Sequence, residues 1–556
     1  MVWQQLYDPF NNIWLSSAVA SIPVVVMLVG LGFMHMKAHI AAGLGLGSAL
    51  LIAIFVFGMP ASMAGNATLY GAMFGLLPIG WIVLNIIFLH QLTTENGSFK
   101  VLQQSLTGIT DDRRLQLLLI AFSFGAFFEG AAGFGTPVAV TGAILIGLGF
   151  SPLAASGLAL IANTAPVAYG ALGTPVIALA AVTGLDLGQL SGMIGRQLPF
   201  FSLLVPFWLI WAFAGFRGMI QIWPAIFVAG ISFAIPQYLV SNYHGPWLVD
   251  VVAAIVSMIS LILFLKVWKP KQVWTSTALK GRKDDSAADV PAAEPVVTTA
   301  RPDGRAVFAA WLPWIILTVF VFIWGVPDFK KWLDDVSIVK IPFTGLHNLI
   351  EKVPPVVAAP HKEAAVYNFN YLSATGSGIF IAAIIAGLLM KFNLGQLFSI
   401  YWRTIKLVKL SLLTIVIMLG LGYLTRYSGL DATLGLAFAN TGSLYPLFGT
   451  LLGWLGVALT GSDTAANVLF GGLQKVTAQQ LGLNPILMAA ANSSGGVMGK
   501  MIDAQSIVVA STATRWFGHE GDILRYVFFH SIALAVLVGL LVTLQAYVYP
   551  FTALVP

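Results

Sequence analysis

Two carboxylates, Glu129 and Asp463, stand inside apolar, glycine-rich stretches where a charge is expensive. Burial disfavours the charged form of a carboxyl, so such a group can be kept by protonation. Each therefore reads as a candidate proton carrier. The competing reading is a structural hydrogen bond that caps a broken helix. The motifs around them resemble each other. The first runs Glu129-Gly-Ala-Ala-Gly-Phe-Gly-Thr-Pro137 and then Ala162-Asn-Thr-Ala-Pro-Val-Ala-Tyr-Gly170. The second runs Gly461-Ser-Asp-Thr-Ala-Ala-Asn467 and then Ala491-Asn-Ser-Ser-Gly-Gly-Val-Met-Gly499. Gly133 precedes Asn163 by 30 residues, and Gly461 precedes Asn492 by 31.

Closely spaced Gly and Pro make a continuous helix costly, at about 1 kcal/mol for each Gly and about 3 kcal/mol for an interior Pro. Breaks are expected at Gly130–Pro137, after Asn163, and after Asn492 through Gly495, Gly496 and Gly499. A broken helix exposes free N–H groups and a partial positive charge at its N-terminus, which suits a carboxylate. Hydroxyls of Thr164, Ser493 and Ser494 add donors. The candidate substrate site is Gly133, Asn163, Thr164, Asn492, Ser493, Ser494 and Lys500, with Glu129 and Asp463 for proton coupling. It fits a small, singly charged organic acid bearing a hydroxyl. Lys500 could meet that acid or pair with Asp503. Arg196 reads as an interfacial anchor and His530 as a packing histidine. His35 and His39 lack a third ligand, so no metal site is expected. The isolated run Gly43-Leu-Gly-Leu-Gly47 reads as close helix packing.

The elements that must position these residues are membrane helices. Of 556 residues, 58% are hydrophobic and 9% charged, against about 25% charged in a soluble domain. Apolar runs of about 20 residues recur, so an all-α polytopic membrane protein with roughly 12 to 14 transmembrane segments is expected. An N-terminal half, 1–265, holds the first motif region (115–197). A polar linker, 266–306, follows. The C-terminal half, 307–556, holds an outer loop, 327–370, and the second motif region (449–515).

Charge orients the chain. From Lys266 to Lys283 there are six basic residues and no acid, which puts the linker in the cytoplasm. Counting spans then puts the uncharged N-terminus and 327–370 outside. On that count the first motif region runs from inside to outside and the second from outside to inside. Such an inverted repeat of broken helices places substrate near the midplane between the halves.

The net charge of +6 comes from Lys and Arg between apolar runs, so nucleic acid is not an expected partner. No cysteine is present, which excludes thiol chemistry and disulfides. No Gly-x-Ser-x-Gly elbow, Walker motif or His-Glu-x-x-His occurs, and no cofactor or enzymatic activity is expected. The start has no basic n-region, so no cleavable signal is expected.

At these motifs the chain resembles the lactate permease family. The resemblance is carried by Trp3-Gln4-Gln5, Gly125-Ala-Phe-Phe-Glu-Gly-Ala-Ala-Gly-Phe-Gly135, Asn163-Thr-Ala-Pro-Val167, Gly195-Arg-Gln-Leu-Pro199, Leu459-Thr-Gly-Ser-Asp-Thr464 and Gly495-Gly-Val-Met-Gly-Lys-Met501. It implies uptake of L-lactate, D-lactate or glycolate with protons across an inner (plasma) membrane, and an ion-transporter-like architecture with re-entrant hairpins and broken helices. Asp503-Ala504 departs from the family pattern and leaves the role of Asp503 open. Two other readings stand beside this one. One is a sodium-coupled carboxylate carrier using Thr464, Asn467 and Ser494. The other is an uncoupled channel-like or sensory protein. One methyl separates glycolate from lactate, a discrimination of only about 1–3 kcal/mol, so composition cannot rank these acids.

Overall fold

The computed structural model describes residues 2–32, 34, 36–131, 133, 135–280, 302–516 and 519–556. His35 and most of the linker lie outside that set. The protein is a helical polytopic membrane protein. Among the described residues, eight helices are long and apolar enough to cross a bilayer, or nine if one bent pair is a single span. Four shorter apolar helices accompany them: Ile13–Met27, His39–Phe55, Thr136–Gly147 and Thr375–Leu389.

In chain order the elements used below are α1 (Ala61–Glu95), α2 (Arg113–Ala131), α3 (Thr136–Gly147), α4 (Pro152–Ala162), α5 (Gly170–Thr183), α6 (Leu187–Ile220), α7 (Trp223–Tyr243), α8 (Val249–Val267) and α9 (Gly304–Gly325). They continue as α10 (Leu394–Ser428), α11 (Tyr445–Thr460), α12 (Asp463–Gln480), α13 (Pro485–Gly499), α14 (Ala504–Ala513) and α15 (Glu520–Tyr547). Five short strands form a platform at one face: β1 (Trp3–Gln4), β2 (Val339–Pro342), β3 (Ile350–Lys352), β4 (His361–Lys362) and β5 (Val366–Phe369). β1 pairs in parallel with β3, with Trp3 opposite Ile350, while β3–β4 and β2–β5 are antiparallel. The N-terminus and the 327–370 segment thus share one face.

The opposite face is marked by the residues leading into the linker. Arg113 N donates to Trp274 O at 2.9 Å, and Ser151 N donates to Thr277 O at 3.0 Å. Arg114 is fully buried there, paired with Asp112 at 2.7 Å and donating to Gln272 O at 2.9 Å. So α2 leaves the linker face, the chain breaks at Gly133–Gly135, and α3 returns to the same face: a re-entrant hairpin. α4 starts again from the linker face. After a 63° bend, its continuation reaches the platform face, where Ala181 O and Thr183 O accept Arg426 and Lys475 at 3.0 and 2.7 Å. Cations at the C-terminal end of α5 complement its dipole. Arg426 also pairs with Glu363 of the platform at 3.2 Å.

The second motif region repeats this plan upside down. α11 runs antiparallel to α15, with Trp454 Nε1 donating to Ser531 Oγ at 2.9 Å. α12 returns to the platform, where Gln480 donates to Pro355 O at 2.9 Å. α13 begins beside the chain end, Asn484 donating to Pro556 O at 2.6 Å. Its continuation α14 ends toward the linker side, where Thr514 bonds Ser156 of α4 at 2.9 Å.

Local sequence explains these starts and breaks. α4 and α13 both open with a side-chain cap followed by Pro: Ser151-Pro152 and Asn484-Pro485. Gly133 and Gly461 occupy matching hairpin tips in left-handed backbone, with φ of 61° and 72°. The expected break after Asn492 is not there. α13 continues to Gly499, and the chain breaks over Lys500–Asp503 instead. The glycines are packing surface: a Cβ on Gly453, Gly495 or Gly499 would collide with backbone of the facing helix at Asn492, Thr450 or Trp454. Small residues let α11 and α13 approach this closely.

Candidate functional site

The hairpin tips and broken crossings meet around a cavity of about 170 Å³. Four helix N-termini reach it: α3 through Gly135, α5 through Gly170, α12 through Ser462, Asp463 and Thr464, and α14 through Ser506. Ser462 caps α12 by accepting Ala465 N at 3.2 Å, and Asp503 caps α14 by accepting Ser506 N at 2.7 Å. The first turns of α3 and α5 carry no side-chain cap. Thr136 N already donates to Gly133 O at 3.0 Å, and Pro137 and Pro175 have no N–H, so what these ends offer an anion is chiefly the positive end of the helix dipole.

Three charged side chains line the same cavity: Glu129, Asp463 and Lys500. Asn163 donates to Glu129 Oε2 at 3.1 Å. Ser493 Oγ and Asn467 Nδ2 donate to Asp463 Oδ2 at 2.5 and 3.3 Å, while Asp463 Oδ1 is buried without a hydrogen-bond partner. Lys500 Nζ donates to Gly461 O at 2.6 Å and lies 3.6 Å from Asp503 Oδ2. This gives Asp503 a structural place, as the cap of α14 and partner of Lys500.

The opposite wall is largely apolar. Met27, Ile79, Ile415, Met418 and Leu419 face the charged groups, with Ser411 and Thr414 of α10 as polar points among them. α5 enters the cavity through an unusual turn. Ala171, Leu172 and Gly173 are all left-handed, with φ of 44°, 55° and 78°. Left-handed backbone costs a non-glycine residue roughly 1–2 kcal/mol, and such strain persists where surrounding structure over-determines it.

Of the residues singled out from the sequence, Glu129, Gly133, Asp463 and Lys500 line the cavity. The other five stand one layer behind it. Asn163 and Ser493 orient the two carboxyls. Thr164 Oγ1 donates to Ile161 O at 2.8 Å, and Ser494 Oγ donates to Gln197 Oε1 at 2.7 Å. Asn492 donates to Asn467 Oδ1 at 2.9 Å and accepts from Gln474 at 3.0 Å. Asn467 in turn donates to Pro175 O at 3.2 Å, joining the second motif to the first. Of the sodium candidates Thr464, Asn467 and Ser494, only Thr464 lines the cavity.

Arg196 lies away from the cavity, bonded to Asn242 and Leu554 O at 2.9 Å each. His530 accepts Trp208 Nε1 at 3.0 Å, a packing contact. Two groups of residues carry no motif signal: Ser411 and Thr414, which sit in an ordinary apolar span, and Asp250, the one acid in α8.

Comparison with known proteins shows which sequences the chain resembles. A family model described as L-lactate permease matches residues 16–549. The chain is 46% identical over 554 residues to the glycolate permease GlcA of Escherichia coli (strain K12), covering 99% of both chains. It is 44% identical over 565 residues to the L-lactate permease of Bacillus subtilis (strain 168), again covering 99% of both. It is 42% identical to the L-lactate permease of Escherichia coli (strain K12), covering 98% of both. Among solved structures, the YdaH transporter of Alcanivorax borkumensis aligns with a TM-score of 0.42 at 14% identity, over 86% of this chain and 87% of that one.

Proposed function

Because the chain belongs to the L-lactate permease family, we propose that it takes up L-lactate and related small 2-hydroxymonocarboxylates, D-lactate and glycolate included, by proton symport across the plasma (inner) membrane. It is a transporter and not an enzyme. The observation that carries the coupling is the convergence of four helix N-termini with Glu129, Asp463 and Lys500 on one cavity.

The chemistry follows from charge. With both carboxyls ionised, an incoming carboxylate meets two like charges and a lysine that already leans on Asp503. At membrane depth such repulsion is screened very little. One proton on Glu129 or Asp463 removes a negative charge and leaves the helix ends and Lys500 to hold the anion. Anion and proton therefore bind together. The substrate carboxylate lies toward Lys500 and the helix ends, and its short carbon chain lies against Met418 and Leu419. Movement of one repeat-derived unit against the other exposes the cavity alternately to each side. The basic linker supports a cytoplasmic linker face, which puts the platform and the N-terminus outside.

Purified protein in sealed liposomes tests this reading. An inward proton gradient is expected to drive uphill L-lactate accumulation, with glycolate and D-lactate competing and no need for sodium. Accumulation driven only by a sodium gradient, or none under any gradient, would overturn it.

A further inference from the structure

Asp250 of α8 is a buried acid that the scheme above does not use. It is 1% exposed, and neither carboxyl oxygen has a hydrogen-bond partner among the described residues. It sits in the first turn of its helix, where an Asp often caps free N–H groups, yet its oxygens accept none. An ionised carboxylate with no cation or protein donor beside it is the least tolerable state for a buried acid, so the place Asp250 occupies suits a neutral, proton-bearing carboxyl.

Its position is next to the site. α8 packs on α2 where Gly130 follows Glu129. A Cβ on Gly130 would stand 2.7 Å from Asp250 Cβ and 3.0 Å from Val251 N. The absence of a side chain at Gly130 thus brings the two acid-bearing backbones together. Glu129 is close enough for its charge to act on Asp250, and so is the Tyr169 hydroxyl, which donates to Ser191 O at 2.7 Å. Of the other helices packed on α8, α5 has no titratable side chain, and α7 offers only Tyr238 and Tyr243, which are exposed. The two arginines of α2, Arg113 and Arg114, lie at its far, linker-face end.

We propose that Asp250 is a second proton-holding residue that exchanges its proton with Glu129 during transport, resting on the proton-coupled reading above. As the Asp250 O–H bond breaks, an O–H bond forms on the Glu129 carboxylate; a hydronium ion arriving through the cavity that Glu129 lines later protonates Glu129 again and leaves as water, and Glu129 returns the proton to Asp250. Asp250 acts through Glu129 and does not touch the substrate.

The test uses full-length protein in liposomes, with three readouts: L-lactate counterflow, accumulation under a proton gradient, and substrate-induced proton movement followed by a pH dye. D250N keeps the shape but cannot carry the proton. It is expected to lose at least tenfold in accumulation and in proton movement while counterflow falls far less, and its net uptake should lose the wild-type dependence on pH. D250E should recover a substantial part of both. Wild-type accumulation and proton movement in D250N would overturn the inference. Equal loss of counterflow and accumulation in D250N, without recovery in D250E, would also overturn it, by showing a structural role only. If the wild-type protein itself shows no proton-driven accumulation, the symport reading fails first.

Discussion

The side-chain amide of Asn163 donates to Glu129 Oε2 at 3.1 Å, so the break between α4 and α5 holds the acid of the first hairpin. Ser493 does the same for Asp463 across the inverted repeat, at 2.5 Å. Each half therefore builds one carboxyl on a hairpin and orients it from the crossing that follows. The resemblance of the motifs is a resemblance of tasks.

Removing the protonatable group should separate coupling from binding. Glu129→Gln keeps the size of the side chain and its acceptor toward Asn163, but it carries no exchangeable charge. Proton-driven accumulation is expected to vanish, with lactate–lactate exchange persisting. Undiminished uphill uptake by E129Q would remove Glu129 from the proton path. Asn163→Ala deletes a hydrogen bond to a charged group, an effect of about 1.5–3 kcal/mol. At 1.36 kcal/mol per decade this predicts roughly a tenfold or greater fall in kcat/KM for uptake.

The glycines divide into classes that a melting curve in detergent can tell apart. Gly453 lies against the Asn492 backbone, so Gly453→Ala forces α11 and α13 apart and should cost about 1–3 kcal/mol or more. Gly461→Ala places a side chain at φ 72° and should cost about 1 kcal/mol or more through backbone strain. A Cβ on Gly43 or Gly47 meets nothing within 4 Å. Alanine there should be neutral or stabilising by up to about 1 kcal/mol. Equal melting shifts at Gly453 and Gly43 would contradict this packing.

These cases show what a chain can reveal before it is folded. The break at Gly130–Pro137 was legible because closely spaced Gly and Pro resist a continuous helix; the Ser151-Pro152 and Asn484-Pro485 starts were equally readable as caps but went unread. The opposing senses were legible because Lys and Arg cluster in the loops of one side. The wrong break at Asn492 has the same origin as the right ones. A glycine that interrupts a helix and a glycine that admits a neighbouring helix look alike in one dimension, and only the contact with Thr450 and Trp454 separates them. Asn163, Thr164, Asn492, Ser493 and Ser494 were found as polar residues at membrane depth. Which of them face the cavity depended on which hydrogen bonds were already made, and spacing does not encode that. Ser411, Thr414 and Asp250 sit in spans without breaks, and nothing in a motif points to them.

The platform offers a pH-dependent lock. Glu363 is buried, which alone would favour its neutral form, but Lys352 and Arg426 at 3.2 Å each hold its carboxyl below the usual 4.5. A depressed carboxyl stabilises the fold above its unfolded pKa, and the benefit is lost as pH falls through the folded value. Wild-type melting temperature should therefore drop below about pH 4.5. Glu363→Gln leaves Arg426 without its counter-ion, costing about 3 kcal/mol near neutrality. Its deficit against wild type should narrow in acid. A deficit that is constant with pH would mean that the pair contributes no charge-dependent stability.

Among the described residues Lys500 is the cation on the cavity wall, held by Gly461 O and Asp503. Lys500→Met keeps the length of the apolar stem and removes the charge. If Lys500 holds the substrate carboxylate, the loss of about 3 kcal/mol typical of a broken buried pair corresponds to roughly a hundredfold weaker binding. The decisive comparison is with Lys500→Arg, which keeps the charge but not the compact ammonium that fits beneath the hairpin tip. Substrate-induced quenching of Trp454, whose backbone meets Gly499 one residue before Lys500, would report binding without turnover. A K500M protein that binds L-lactate as tightly as wild type would leave Lys500 only its bonds to Gly461 and Asp503, and would put the anion on the helix ends alone.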